Sequence, residues 1–292
     1  MKSFFFKYEL EIISHPCAVL QTERDCLIQF RVPERFVRCL VFSAKLFYDS
    51  SVPHAGSYSR SSDELANYSM VLIEEDVVSV RVRFPEPAVY RLILYARVLA
   101  ERVPDIDERA RVHIDSQYHD FCKYQIAATG FQPDQALQPF PPSQCRRFGL
   151  HTDSPLRDFV SHYEVLRAAS RQPLAASLAT PSTSPLVETD SGACEIRLLL
   201  TRPISVRAVF RTYLRTQLDR IAEVKQVGAN EVQVHVVLPE SGEYTLELYA
   251  QPLGGPALAL PSSRVSTFVP ADMGPNFHPL AQFFFVNIAS QI

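Results

Sequence analysis

Two stretches of this chain nearly copy each other. Residues 78–96, VSVRVRFPEPAVYRLILYA, return as residues 232–250, VQVHVVLPESGEYTLELYA, at a constant offset of 154. Ten of the nineteen aligned positions are identical, among them Pro85/Pro239, Glu86/Glu240, Tyr90/Tyr244 and Tyr95/Tyr249. A period this long is a duplicated domain rather than a short solenoid unit, so one domain type is used twice. The full length of 292 residues leaves room for two domains of ordinary size.

The first half of each copy alternates strictly. Val78, Val80, Val82 and Phe84 fall on one face, and Ser79, Arg81 and Arg83 on the other. The second copy keeps the apolar set as Val232, Val234, Val236 and Leu238. Period two with one polar face predicts a half-buried strand of an antiparallel sheet. A Pro-containing turn follows, with Gly242 suited to a bend, and then a second alternating strand carries Tyr90, Leu92, Leu94 and Ala96 or their counterparts. Two such strands make either a hairpin-like unit or a corner between sheets.

The tyrosine narrows the choice. Immunoglobulin-type sandwiches place a Tyr near the start of strand F, with its hydroxyl bonded to the chain a few residues upstream and a core residue two positions later. That core residue is Cys in antibody domains; here it is Leu92 and Leu246. Cys26 and Cys194 fall near the expected B strands and find no sulfur partner on strand F. The expected fold is all-β: two tandem immunoglobulin-like antiparallel β-sandwiches without the inter-sheet disulfide, joined by a Pro-rich linker. The expected boundaries are 1–130 for the first sandwich, 131–150 for the linker and 151–292 for the second, with a low-complexity insertion near 170–191.

Composition agrees with a globular chain: 47% hydrophobic and 21% charged, which is not a disordered balance. A net charge of −3 supplies no bulk attraction to nucleic acid or membrane. No stretch is long enough to span a bilayer, and the opening MKSFFFKYE has no signal-peptide pattern. Six scattered cysteines (17, 26, 39, 122, 145 and 194) are read as reduced and mostly buried. The expected location is therefore cytoplasmic.

Along the chain, 4–14 alternates as a first strand. Residues 26–32 and 36–48 are further strands divided at Pro33, 49–66 is a Ser-rich loop, and 68–73 is a short strand. A charged loop is expected over 97–107, and a closing strand within 112–127. Residues 132–145 hold four prolines around Phe140, an extended linker able to pack its aromatic. Residues 156–169 read as a short helix or a strand, and 170–191 as a mobile surface segment. The second copy begins near Cys194, and 283–288 closes it.

The order of these motifs resembles a known family. Phe6-Lys-Tyr-Glu-Leu-Glu-Ile-Ile-Ser14-His15-Pro16, the corner ending in Tyr90, the Phe140-Pro141 linker, the segment from Val187 to Ile196 and the corner Pro239-x-x-Gly242-x-Tyr244 together resemble the tandem immunoglobulin-like region of the kyphoscoliosis peptidase family, which includes hillarin. The resemblance covers residues 4–290; the 170–185 insertion and the absence of Trp depart from it. It implies a transglutaminase-like domain with a Cys, a His and an Asp upstream of such repeats. Here the repeats start at the first residue, so that catalytic domain is expected to be absent from this chain. It also implies cytoskeletal protein partners.

No catalytic, metal or cofactor site is expected in the repeats themselves. Cys122, His151 and Asp153, with His162 nearby, are the one Cys-His-Asp grouping in a plausible order, and no apolar helix follows Cys122 to present it as a nucleophile. His15, Cys17 and Cys26 lack the paired spacing of a zinc site. The carboxylates Asp105, Asp107 and Glu108 are neutralised by Arg102, Arg109 and Arg111, which argues against calcium. Glu74-Glu75-Asp76 reads as a turn, Arg146-Arg147 as too small a basic patch for nucleic acid, and Phe283-Phe284-Phe285 as a strand buried on both faces. The function expected is a non-catalytic intracellular protein-interaction module, with cytoskeletal association implied by the resemblance. The alternative is a C-terminal accessory region of a transglutaminase-like cysteine peptidase. Oligomeric state is left open.

Overall fold

The computed structural model describes residues 2–51, 61–104, 115, 117–143, 146–167, 181–212, 221–253 and 276–288. The chain divides into two compact units, Met1–Phe140 and Pro141–Ile292. Each builds two sheets whose apolar alternations meet in one core.

In the first unit, one sheet holds β1 (Glu11–Ile12), β3 (Asp25–Arg31), β6 (Val77–Arg83) and β5 (Ser69–Glu74), in that order. The other holds β2 (Val19–Thr22), β8 (His119–Ala128), β7 (Ala88–Val98) and β4 (Leu40–Tyr48). All neighbours are antiparallel except β2, which runs parallel to β8. This is the strand plan of an immunoglobulin-like sandwich.

The second unit repeats the plan. β10 (Val160–Arg167), β12 (Ala193–Leu200), β15 (Glu231–Val237) and β14 (Ala222–Gln226) form one sheet. β17 (His278–Asn287), β16 (Gly242–Pro252) and β13 (Ile204–Thr212) form the other. The outer edge of β17 is shared by two short strands. β9 (Arg147–Leu150) pairs antiparallel at Gln282 and Ala281, and β11 (Leu186–Thr189) pairs parallel from Phe284 to Asn287.

The copied segment is an inter-sheet corner and not a hairpin: β6 and β15 lie in one sheet, β7 and β16 in the other. Their bounds match residue for residue at the offset of 154. Tyr90 Oη donates to the Glu86 carbonyl at 2.7 Å, and Tyr244 Oη to the Glu240 carbonyl at 3.0 Å. A second polar contact braces each corner from a different strand. In the first unit the Tyr48 hydroxyl of β4 donates to the Glu86 carboxylate. In the second, Asn287 Nδ2 of β17 donates to the Glu240 carbonyl at 2.7 Å. Leu92 and Leu246 are fully buried where an antibody domain carries its cysteine. The five described cysteines are all free thiols.

Several elements depart from the sequence expectation. The first strand was expected over 4–14, but Ser3–Lys7 is a helix, α1, and pairing is confined to Glu11–Ile12. Phe4, Phe5 and Tyr8 are buried while Phe6 is 66% exposed, a helical and not an alternating pattern. Tyr8 N–H closes the turn onto the Phe4 carbonyl at 3.1 Å, and the two rings sit 4.6 Å apart. The strand expected from Phe36 starts at Leu40, because Pro33 opens a helical turn, α2 (Glu34–Val37). Within the expected Ser-rich loop, α3 (Ser62–Leu65) forms on a capping box between Ser61 and Glu64; 52–60 lie outside the described residues. The charged loop expected from Arg97 begins later, since β7 runs to Val98.

In the segment read as linker, Phe140 is buried, with Arg83 Cζ 4.0 Å above its ring and its N–H on the Asn67 carbonyl. Residues 156–169, left between helix and strand, contain β10. The segment read as mobile holds β11 at its end, and 168–180 lie outside the described residues.

Gly192, in the turn between β11 and β12, has φ +70°, and a Cβ there would meet the Leu238 carbonyl at 3.1 Å and Asn287 Nδ2 at 3.2 Å. Gly228 has a similar φ of +74° and open space around it. Gly192→Ala is expected to destabilise the second unit by about 2–3 kcal/mol, left-handed strain plus crowding, and Gly228→Ala by about 1 kcal/mol, strain alone. Denaturant unfolding of the two variants checks the order; equal losses would contradict the crowding argument.

Candidate functional site

The described members of the groupings singled out in the sequence lie on separate elements. Cys122 lies on β8 of the first unit, its thiol pKa raised chiefly by burial. Burial likewise pushes Cys26 and Cys194 up to about 12 and Cys39 to about 11. A thiol held this high carries almost no thiolate at neutral pH, and the thiolate is the nucleophile. His151 and Asp153 belong to the second unit, and exposed His162 on β10 lies 3.2 Å from Glu164. His15 takes a left-handed φ of +56° in the turn after β1, while Cys26 is on β3 and Cys17 is exposed. Among the described residues no three His, Cys, Asp or Glu side chains are grouped to hold a metal ion. Residues 105–108 lie outside the described residues.

Glu75 turns with φ +52° between β5 and β6, and Asp76 pairs with Arg31 at 3.4 Å, a turn as read. Arg147 is bonded to Asp153 at 3.0 Å. Phe283 and Phe285 enter the core while Phe284 packs on Phe148, so that strand is buried on both faces. In the cleft of about 310 Å³ beside α1, Lys2 pairs with Asp120, His119 Nε2 lies 3.2 Å from Asp115, and Lys7 Nζ lies 5.4 Å from the centre of the Tyr8 ring.

What the sequence reading missed is a surface that exists only once three strands pair. The outward residues of β4, β7 and β8 form a grid. Its rows are Ser43–Tyr95–Asp120, Lys45–Ile93–Lys123 and Phe47–Arg91–Gln125. The inward neighbours, Ala44, Leu46, Leu92, Leu94 and Tyr124, fill the core. Lys45, Arg91 and Lys123 are exposed around Ile93, which is 9% exposed. Lys45 Nζ lies 5.7 Å from the centre of the Tyr95 ring, and Arg91 Cζ 5.8 Å from that of Phe47. Asp120 accepts from Lys2 at 2.6 Å and Lys123 at 2.9 Å, and these hydrogen bonds hold its carboxyl below the usual range.

The equivalent face of the second unit is chemically different. Val209, Thr245, Glu247, Tyr249, Gln282 and Phe284 take the places of Lys45, Arg91, Ile93, Tyr95, Lys123 and Gln125, and all six are buried. Glu247 accepts from Arg211 Nε and from Tyr249 Oη, each at 3.1 Å. On the opposite sheet, buried Glu195 is bonded to Arg197 and sits 3.3 Å from His235 Nδ1. The exposed basic face thus belongs to the first copy.

His151 is buried, its backbone N–H on the Leu280 carbonyl and its Nε2 without a hydrogen-bond partner among the described residues. Burial, helped by the Arg147 charge and opposed by Asp153 and the Arg147 carbonyl, lowers its pKa to about 4. The unfolded chain therefore binds the extra proton first. Stability from this group is intact above about pH 6.5 and falls as pH drops to about 4, by roughly 3 kcal/mol in all. Hydrogen exchange in β9 and β17 across that window checks this. His151→Leu is expected to flatten the pH dependence, and an unchanged slope would contradict it.

Residues 1–141 match the family model described as the KY-like, immunoglobulin-like domain. No curated protein matches the chain. Among solved structures, similarity is found to a three-domain titin segment, I67–I69 in an E-to-A mutated variant. Identity is 10%, with 95% of this chain and 64% of that one covered and a TM-score of 0.20. This chain therefore spans a little under two thirds of that segment's length. A marsupial T cell receptor gives 8% identity, coverage of 84% and 91%, and a TM-score of 0.24. A chimeric titin Z1Z2 gives 10%, coverage of 97% for both chains, and 0.21. Scores this low carry no weight beside the strand order and the paired tyrosine corners. The strand plan and the tyrosine corner of the first unit agree with its match to the KY-like immunoglobulin-like domain model.

Proposed function

We propose that this chain is a non-catalytic, cytoplasmic protein-interaction module whose partners are cytoskeletal proteins. The observation that carries the reading is the KY-like immunoglobulin-like domain presenting an exposed basic and aromatic sheet face, while the same face of the second unit is buried. An exposed Arg and half-buried aromatic groups around a buried aliphatic centre have the make-up of protein-binding hot spots. The described cysteines with raised thiol pKa values support a binding role over nucleophilic chemistry. Among the described residues no helix is long and apolar enough to cross a membrane.

The family match also favours a second reading, in which these sandwiches are the accessory region of a transglutaminase-like cysteine peptidase and place its substrates. Coding sequence upstream with Cys, His and Asp in the family's order would support it.

Affinity capture with the intact chain from tissue that expresses it is expected to recover cytoskeletal proteins. Recovery of none would contradict the first reading. Hydrolase or acyl-transfer activity of the chain alone, abolished by Cys122→Ala, would overturn the assignment as non-catalytic.

A further inference from the structure

We infer that the outer face of β4, β7 and β8 in the first unit docks an extended acidic protein segment. The inference rests on the reading of the chain as an interaction module and adds the surface and the partner's chemistry. Three exposed cations surround Ile93: Lys45 and Lys123 directly opposite it on the flanking strands, and Arg91 two residues away on its own strand. Strand spacing puts the Cα atoms of these three residues within roughly 7–10 Å of one another. Like charges gathered on one sheet face repel and destabilise it. Among the described residues, neither Lys45 nor Arg91 has a carboxylate within ion-pair distance, and Asp120 is engaged by Lys2 and Lys123. A chain with a net charge of −3 thus keeps an excess of positive charge on this face, only partly offset by Asp120 on Lys123 and by Asp49, which Gln125 bonds at 2.7 Å and on which the Arg91 charge acts. An anionic partner relieves that repulsion.

Geometry selects the kind of anion. The rows of the grid repeat every second residue, about 7 Å, which is also the same-face repeat of an extended peptide. Carboxylates at alternate positions all lie on one face of such a peptide, the face that meets Lys45, Arg91 and Lys123. The bidentate guanidinium of Arg91 suits a carboxylate. Base stacking is disfavoured, because Lys45 and Arg91 already lie over the Tyr95 and Phe47 rings. In the second unit, Glu247 takes the central place of Ile93, and Val209 and Gln282 replace the two lysines, so that copy lacks this chemistry.

The test is fluorescence polarisation of the full-length chain with a labelled peptide alternating Glu and Val. Saturable binding that weakens as salt rises is expected, with no binding of a Lys-Val peptide. Lys45→Glu combined with Arg91→Glu should weaken binding at least about tenfold. Lys225→Glu, on β14 of the second unit, should leave it unchanged, with circular dichroism confirming that each variant is folded. Three results would overturn the inference: no binding of the acidic peptide, equal binding by the double variant, or tighter binding of single-stranded DNA through the same residues. Natural partners captured equally by wild type and the double variant would also overturn it, while leaving the interaction-module reading standing.

Discussion

The architecture depends on one hydrogen bond made twice, from a buried tyrosine hydroxyl to a backbone carbonyl four residues upstream. The chain leaves one sheet at Arg83 or Val237 and enters the other at Ala88 or Gly242. The tyrosine ties the turn between them to the start of the new strand. Each hydroxyl is buried, and burial raises the pKa of both phenols, so the donor is neutral and in place at any physiological pH. Once the corner is fixed, the alternation of β6 and β7, or β15 and β16, points both apolar faces at one core. With Leu92 and Leu246 in the disulfide position, packing and the corner together hold the sheets without a covalent link.

The same constraint leaves the outer faces free to diverge. A core position tolerates little change because its neighbours are close-packed, whereas a residue facing outward answers only to solvent or a partner. The second copy has taken Thr245, Glu247 and Tyr249 on β16 into buried surroundings, with Arg211 and the Tyr249 hydroxyl on the Glu247 carboxylate. The first copy has kept its face open and basic. Duplication thus supplied two similar frames whose outer sheet faces differ in charge and burial.

Much of the frame is legible in the chain itself. Strict alternation in 78–84 and 232–238, the repeated Tyr and the leucine two residues later identify the sandwich and its duplication. Phe283-Phe284-Phe285 reads correctly as a strand buried on both faces. The N-terminal Phe4–Tyr8 misleads because five residues satisfy a period of two and a helical turn equally, and the helix wins where Phe4, Phe5 and Tyr8 can all reach the core. The candidate face was hidden for a different reason. Lys45, Arg91 and Lys123 are far apart in sequence, and each reads as an ordinary solvated residue of its own strand. Only the registers of β4 on β7 and β7 on β8 bring them around Ile93, and the second register shifts at Leu94/Tyr95.

Hydrogen exchange resolved along the full-length chain, comparing wild type with Tyr90→Phe and with Tyr244→Phe, tests most directly whether each corner holds its own sandwich. Each substitution removes one hydroxyl and leaves the ring. The account predicts a loss of about 1–2 kcal/mol of protection in β6, β7 and β8 for Tyr90→Phe, and in β15, β16 and β17 for Tyr244→Phe, with the other unit unaffected. Protection unchanged in both variants, or lost across both units from either one, would contradict it.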